Sequence, residues 1–173
     1  MKVVVINGYP RAGKDTFVEF CQDILGTFRC RNLSTIDCIK KAAKVFGWNG
    51  EKTPEARRFL AKLKDITTEY NDFSYRYIKK QFSAIEKEEW NGEDIIVFVH
   101  CREPKDINRF VRDYNAITVL VKNKRVEDEY SNEADANVEN YRYDVTILNN
   151  TTLDNLKLSA KAFIEYLAEE KKS

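Results

Sequence analysis

Gly8, Gly13 and Lys14 stand at the spacing G-x-x-x-x-G-K, and residues of these types at that spacing suit one task, the holding of a phosphate chain. Glycines let the backbone turn so tightly that successive amide N–H groups converge on an anion, and a lysine adds a compact positive charge beside it. The full stretch reads Gly8-Tyr9-Pro10-Arg11-Ala12-Gly13-Lys14-Asp15-Thr16. The position after the lysine ordinarily carries a Ser or Thr hydroxyl that holds magnesium, and here it is Asp15. That carboxylate either holds magnesium, directly or through water, or stabilises the first helical turn through its dipole.

Phosphoryl transfer spreads negative charge over the moving group, so the remaining candidates are chiefly cations. Lys14 is the first. Arg102, in His100-Cys101-Arg102-Glu103-Pro104, is the second, with an ion pair to Glu103 or Asp106 as its structural alternative. Arg57 and Arg58 either grip a substrate phosphate with bidentate guanidinium groups or form a solvated helix face. Trp48, flanked by Gly47 and Gly50, either stacks on a base or covers an edge, and Asp37 either touches a sugar or base or caps a helix. A magnesium-holding aspartate is expected at the end of the third strand, but His100 stands there, with Asp94 and Glu103 the nearest acids; nitrogen is a poor ligand for magnesium.

The elements that would position these groups follow from periodicity. Val3-Val4-Val5-Ile6 is a β-branched run of the kind buried on both faces of a sheet, and Phe17, Val18, Phe20, Cys21, Ile24 and Leu25 recur at helical spacing after the loop. A second strand is expected within 28–35, a third at Ile95–Val99, a fourth at 116–121 and a fifth around Val145–Leu148. Three helices separate the second strand from the third: a short one through Lys40–Phe46, one begun by Thr53-Pro54 and one after Asn71-Asp72. The second of these carries the stripe Ala56, Phe59, Leu60, Leu63, Ile66 and Tyr70. Thr151 with Asp154 reads as a capping box for a final helix lined by Leu153, Leu156, Ala160, Phe163, Ile164 and Leu167.

Strands alternating with helices imply a three-layer α/β fold on a parallel sheet, in which ligands bind beyond the carboxyl ends of the strands. The glycine loop, the Asp37 region, residues 100–103 and the charged segment after residue 121 all fall at that edge. Residues 122–142 alternate in charge, as a solvated face does; lying between two strands, they are also placed to form a lid, with Arg125 its best cation.

Composition narrows the partners. The 173 residues carry 29 basic and 28 acidic side chains, so no bulk field draws the chain to nucleic acid or a membrane. Cys21, Cys30, Cys38 and Cys101 share no metal-binding spacing and are expected to be reduced thiols in a cytoplasmic protein. No apolar run reaches the length of a membrane span, and no signal peptide is expected.

The loop resembles that of the nucleoside monophosphate kinases in Gly8, Pro10, Gly13, Lys14 and Thr16, and its Gly13-Lys14-Asp15-Thr16 form is similar to the deoxynucleoside monophosphate kinases. Residues 37–40, 47–50 with Lys52, 57–65, 102–104 and 143–150 resemble the same adenylate kinase-like group. The resemblance implies one P-loop kinase domain with a five-stranded parallel sheet: a core of residues 1–36, 93–121 and 143–173, a helical acceptor-binding insertion at about 37–92 and a lid at about 122–142. It implies ATP and magnesium as cofactors, small nucleotide substrates as partners, and a monomer or homodimer. Gly8, Pro10, Arg11, Ala12, Gly13, Lys14, Asp15 and Thr16 would bind ATP, with Asp15 and Thr16 on magnesium. Asp37, Trp48, Arg57, Arg58, Arg102 and Arg142 would bind the acceptor, and Lys14, Arg102 and Arg125 would serve the transfer. A kinase for another phosphorylated metabolite, such as phosphomevalonate, and a nucleotide-binding sensor without turnover are the alternatives.

Overall fold

The computed structural model describes residues 1–26, 29–88, 95–127, 138 and 140–169. Most of the expected lid, together with Asp94, lies outside the described residues.

The β-branched run after Met1 forms β1 (Lys2–Asn7), and the other strands are β2 (Cys30–Ser34), β3 (Ile96–His100), β4 (Ile117–Lys122) and β5 (Val145–Leu148). They make one five-stranded parallel sheet in the order β2-β3-β1-β4-β5. Ile6 pairs in register with His100 on one side, and Asn7 with Leu120 on the other. The chain leaving β1 therefore emerges at the point where strand order reverses, the crevice in which open α/β sheets bind ligands.

Alternation along the strands divides the side chains between two layers. Val4, Ile6, Phe98, Val119 and Val121 share a core with α1 (Lys14–Leu25) and the final helix. There Phe163 packs against both Phe17 and Phe98, with ring centroids 5.7 and 6.4 Å apart. On the other face α5 (Pro104–Tyr114) contributes Ile107 and Phe110, both fully buried. A short helix, α6 (Lys124–Glu127), follows β4, and α7 (Leu153–Glu169) closes the fold. The cap of α7 is one residue later than expected: Thr152 Oγ1 accepts from the Asn155 amide at 3.3 Å, whereas Thr151 accepts from the Asn155 side chain. Leu153, the first residue of α7, is exposed.

Contacts divide the chain into two compact units, residues 1–32 with 90–173, and residues 33–89. The second holds α2 (Asp37–Val45), α3 (Pro54–Asn71) and α4 (Phe73–Ile85). Thr53 caps α3 by accepting from the Ala56 amide at 3.2 Å, and Pro54 occupies the first turn, where its missing donor costs nothing. Tyr75, Ile78, Phe82 and Ile85 of α4 are buried as their spacing predicts. The stripe on α3 is not: Ala56 is its one buried member, while Ile66 and Tyr70 are 61 % and 84 % exposed. With 18 residues α3 is longer than either helix that packs on it, the 9-residue α2 or the 13-residue α4, so its apolar face outruns both partners.

Candidate active site

The turn between β1 and α1 is built by backbone conformations that few residues adopt. Gly8, Arg11 and Gly13 have φ of +147°, +61° and +99°, and the Ala12 amide closes a turn on the Tyr9 carbonyl at 3.2 Å. Gly13 then starts α1, with the Phe17 amide bonding back to its carbonyl at 2.9 Å. Side chains are shut out at both glycines. A Cβ on Gly8 would lie 2.3 Å from the Val121 carbonyl oxygen, and one on Gly13 would lie 2.3 Å from Asn149 Nδ2. Lys14 Nζ donates to the carbonyls of Gly8 and Tyr9, both at 2.7 Å, so its ammonium is held inside the loop's own curve. Ala12 is buried, Pro10, Thr16 and Lys14 are half-buried, and Arg11 and Asp15 face solvent. An anion there meets backbone donors, the positive end of α1 and a lysine at once.

Two amides that the sequence pattern did not single out hold this loop. Asn7 is 1 % exposed; its Oδ1 accepts from the Gly8 amide at 2.8 Å, and its Nδ2 donates to Tyr143 Oη at 2.7 Å. Tyr143 donates in turn to the Val138 carbonyl at 2.9 Å, and burial pushes its pKa up to about 12. Asn149, leaving β5, donates to the Ala12 carbonyl at 3.0 Å. An amide closing an otherwise apolar strand was the available signal for Asn7. Tyr143 and Asn149 approach the loop only through the sheet.

His100 ends β3 with Nε2 3.7 Å from Asp15 Oδ1, the histidine largely buried and the carboxylate exposed. A loop carboxylate and a strand histidine thus stand where a hydroxyl and an aspartate are usual. Among the described residues no cluster of three metal-binding side chains occurs. Magnesium does not require one, since it is commonly held by one or two protein oxygens with substrate phosphates and water completing the shell. The Asp15 carboxylate and the Thr16 hydroxyl fit that demand.

Arg102 is exposed just past β3, and its carbonyl accepts from Asn7 Nδ2 at 3.5 Å. Arg125 is exposed on α6, its amide bonded to Asn123 Oδ1 at 3.0 Å, and Arg142 is exposed before β5.

Within the unit of residues 33–89, Asp37 and Trp48 line one cavity of about 360 Å³. Asp37 accepts from the Ser34 amide at 3.0 Å, and Trp48 Nε1 donates to the Glu51 carbonyl at 3.0 Å. Arg57 and Arg58 do not line it; both are exposed on α3, where Arg58 pairs with Glu55 at 2.9 Å.

The cysteines take no part in these sites. All four are free and buried, and desolvation pushes the Cys30 thiol up to about 12 and the Cys21 thiol further. No described helix is long and apolar enough to cross a membrane.

No family model matches the chain, and no curated protein sequence matches it. Solved structures do. Dephospho-CoA kinase from Campylobacter jejuni is similar over 99 % of this chain and 100 % of its own, with a TM-score of 0.62 at 14 % identity. A Chloroflexus aurantiacus protein described as a kinase is similar over 97 % and 96 %, with a TM-score of 0.51 at 14 % identity. The APS kinase of Mycobacterium tuberculosis is similar over 96 % of each chain, with a TM-score of 0.45 at 12 % identity. The fold is thus the α/β fold found in the dephospho-CoA kinase.

Proposed function

We propose that the protein transfers the terminal phosphoryl group of ATP to a nucleoside or deoxynucleoside monophosphate. The observation that carries this reading is the Lys14 ammonium held within a loop of positive-φ residues at the switch point of the sheet. Likeness in fold to solved kinases supports a kinase as the general class.

In such a transfer an oxygen of the acceptor phosphate attacks the terminal phosphorus of ATP, and the bond from that phosphorus to the bridging oxygen breaks, releasing ADP. The acceptor oxygen is already anionic, so the chain needs positioned cations more than a base. The loop amides and Lys14 bind the phosphate chain of the donor and stabilise the charge that grows on the departing oxygen. Asp15 and Thr16 would hold magnesium, which neutralises phosphate charge when bound. Arg102 is assigned to the acceptor phosphate, and Arg125 and Arg142 to the lid as its cations. Asp37 and Trp48 are assigned to the acceptor.

The test is ADP release from ATP and magnesium with a panel of ribo- and deoxyribonucleoside monophosphates and phosphomevalonate, with Lys14→Ala as the control. Turnover of a nucleotide that the control abolishes is the expected result. Turnover of phosphomevalonate alone would replace the acceptor, and ATP binding without ADP release would make the protein a nucleotide-binding sensor.

A further inference from the structure

The cavity in residues 33–89 carries an excess of positive charge. Lys40, Lys41 and Lys44 of α2 all line it, against a single carboxylate, Asp37, which the Ser34 amide already engages. Lysines four apart on a helix repel rather than support each other, as Lys40 and Lys44 do here. Among the described residues neither of these two has an ion-pair partner. Lys41 is held in place: its Nζ donates to Tyr77 Oη at 2.9 Å and lies 5.2 Å from the centre of that ring. The bond to Tyr77 raises the lysine's pKa, so the ammonium stays charged. Trp48 lines the same cavity with its indole fixed by its bond to Glu51, and a Cβ on Gly50, also in the lining, would meet nothing within 4 Å. A cavity of about 360 Å³ lies in the range of small-molecule sites.

We propose that this cavity binds a phosphomonoester carrying a planar ring, its phosphate gripped by Lys40, Lys41 and Lys44 and its ring laid on Trp48. Lysine meets phosphate as a point charge and needs no fork geometry, and three of them offset a dianion. That the ligand is the acceptor of phosphoryl transfer rests on the function proposed above. The phosphate grip is then on α2, not at Arg57 and Arg58.

Trp48 and Trp90 are the only tryptophans, so the Trp90→Phe protein reports on this cavity alone. Its fluorescence is titrated, without ATP, against the 5′-monophosphates of adenosine, guanosine, cytidine and thymidine, the matching nucleosides and inorganic phosphate. At least one monophosphate quenches Trp48, and its nucleoside binds more weakly by about tenfold or more. Lys40→Gln, Lys41→Gln and Lys44→Gln together remove that difference, while Lys14→Ala leaves it intact. Circular dichroism confirms that the triple variant is folded, and Tyr77→Phe, which only frees Lys41, weakens the monophosphate several-fold. The proposal is overturned if no monophosphate changes the signal at millimolar concentration, or if the folded triple variant binds as the parent does. Quenching by monophosphates with no ADP release sinks the kinase reading and leaves the site standing. Turnover lost in Lys14→Ala but unchanged in the lysine triple variant does the reverse.

Discussion

Asn149 Nδ2 donates to the Ala12 carbonyl at 3.0 Å, and the same nitrogen would lie 2.3 Å from a Cβ on Gly13. Two requirements on the loop therefore have one origin. The amide that fixes the loop from β5 also occupies the volume a side chain at position 13 would need. Gly8 is constrained differently, since its missing Cβ faces the Val121 carbonyl oxygen, which belongs to the ladder of β4.

Gly13→Ala and Gly8→Ala should consequently differ in how they can be relieved. Each suffers a positive φ, a cost of about 1–3 kcal/mol together with the clash. Adding Asn149→Ala to Gly13→Ala removes the clash and should recover part of the lost stability, whereas no side-chain change relieves Gly8→Ala. Urea unfolding of the single and double variants measures this; a double variant as unstable as the sum of the two singles would contradict it.

How much of this was legible in the sequence follows the range of the forces involved. The glycine loop, β1 and the cap at Thr53 were readable because each is a short pattern whose physics is local. The α3 stripe misled because periodicity reports which residues share a face and not whether a partner is long enough to cover it; Ile66 and Tyr70 show the difference. Asn149 reaches Ala12, and Tyr143 reaches Asn7, across the sheet, and neither pairing leaves a mark in local spacing. Lys40, Lys41 and Lys44 look like an ordinary solvated face until Trp48 and Tyr77 are found beside them.

The chain from the Gly8 amide through buried Asn7 and half-buried Tyr143 to the Val138 carbonyl is a polar network in which losing one member strands its neighbours. Tyr143→Phe keeps the ring and deletes the hydroxyl, leaving the Asn7 amide and the Val138 carbonyl short of a partner. A loss of about 1–3 kcal/mol is expected. Asn7→Leu should lose at least as much, because the Gly8 amide also loses its acceptor, and should weaken ATP binding as well. Chemical denaturation and ATP titration of both variants decide the matter, and a Tyr143→Phe protein as stable as the parent would show that the network is dispensable.

Alkaline pH should destabilise the fold through its buried thiols. An unfolded cysteine ionises near about 8.5, while desolvation holds Cys30 neutral in the folded state up to about 12, and Cys21 likewise stays protonated. Between those values the unfolded chain has released protons that the folded one keeps, so stability falls as pH rises. Below the unfolded value neither state loses the proton and the effect vanishes. Melting temperatures of the parent and Cys30→Ala between about pH 7 and 10 should diverge in slope, with the variant falling less steeply; parallel slopes would mean that Cys30 ionises as readily folded as unfolded.

Asp15 distinguishes two roles that the loop allows for a carboxylate, magnesium holding and support of the first turn of α1. Its side chain is 84 % exposed and 3.7 Å from His100 Nε2, so it contributes little to packing. If its main role is the helix dipole, Asp15→Ser and Asp15→Ala should both cost stability by about 0.3–1 kcal/mol and leave the magnesium requirement as it was. If it holds magnesium, the two variants part company. Serine supplies the hydroxyl that this position ordinarily offers and should retain magnesium-dependent ATP binding, while alanine should need far more of the ion for the same ATP affinity. The second outcome is the one expected, because the strand position that usually offers a carboxylate oxygen is His100, and an oxygen-seeking ion must draw on the loop instead. ATP affinity measured across a magnesium titration for the three proteins separates the roles, and superimposable curves for alanine and the parent would rule out the metal role.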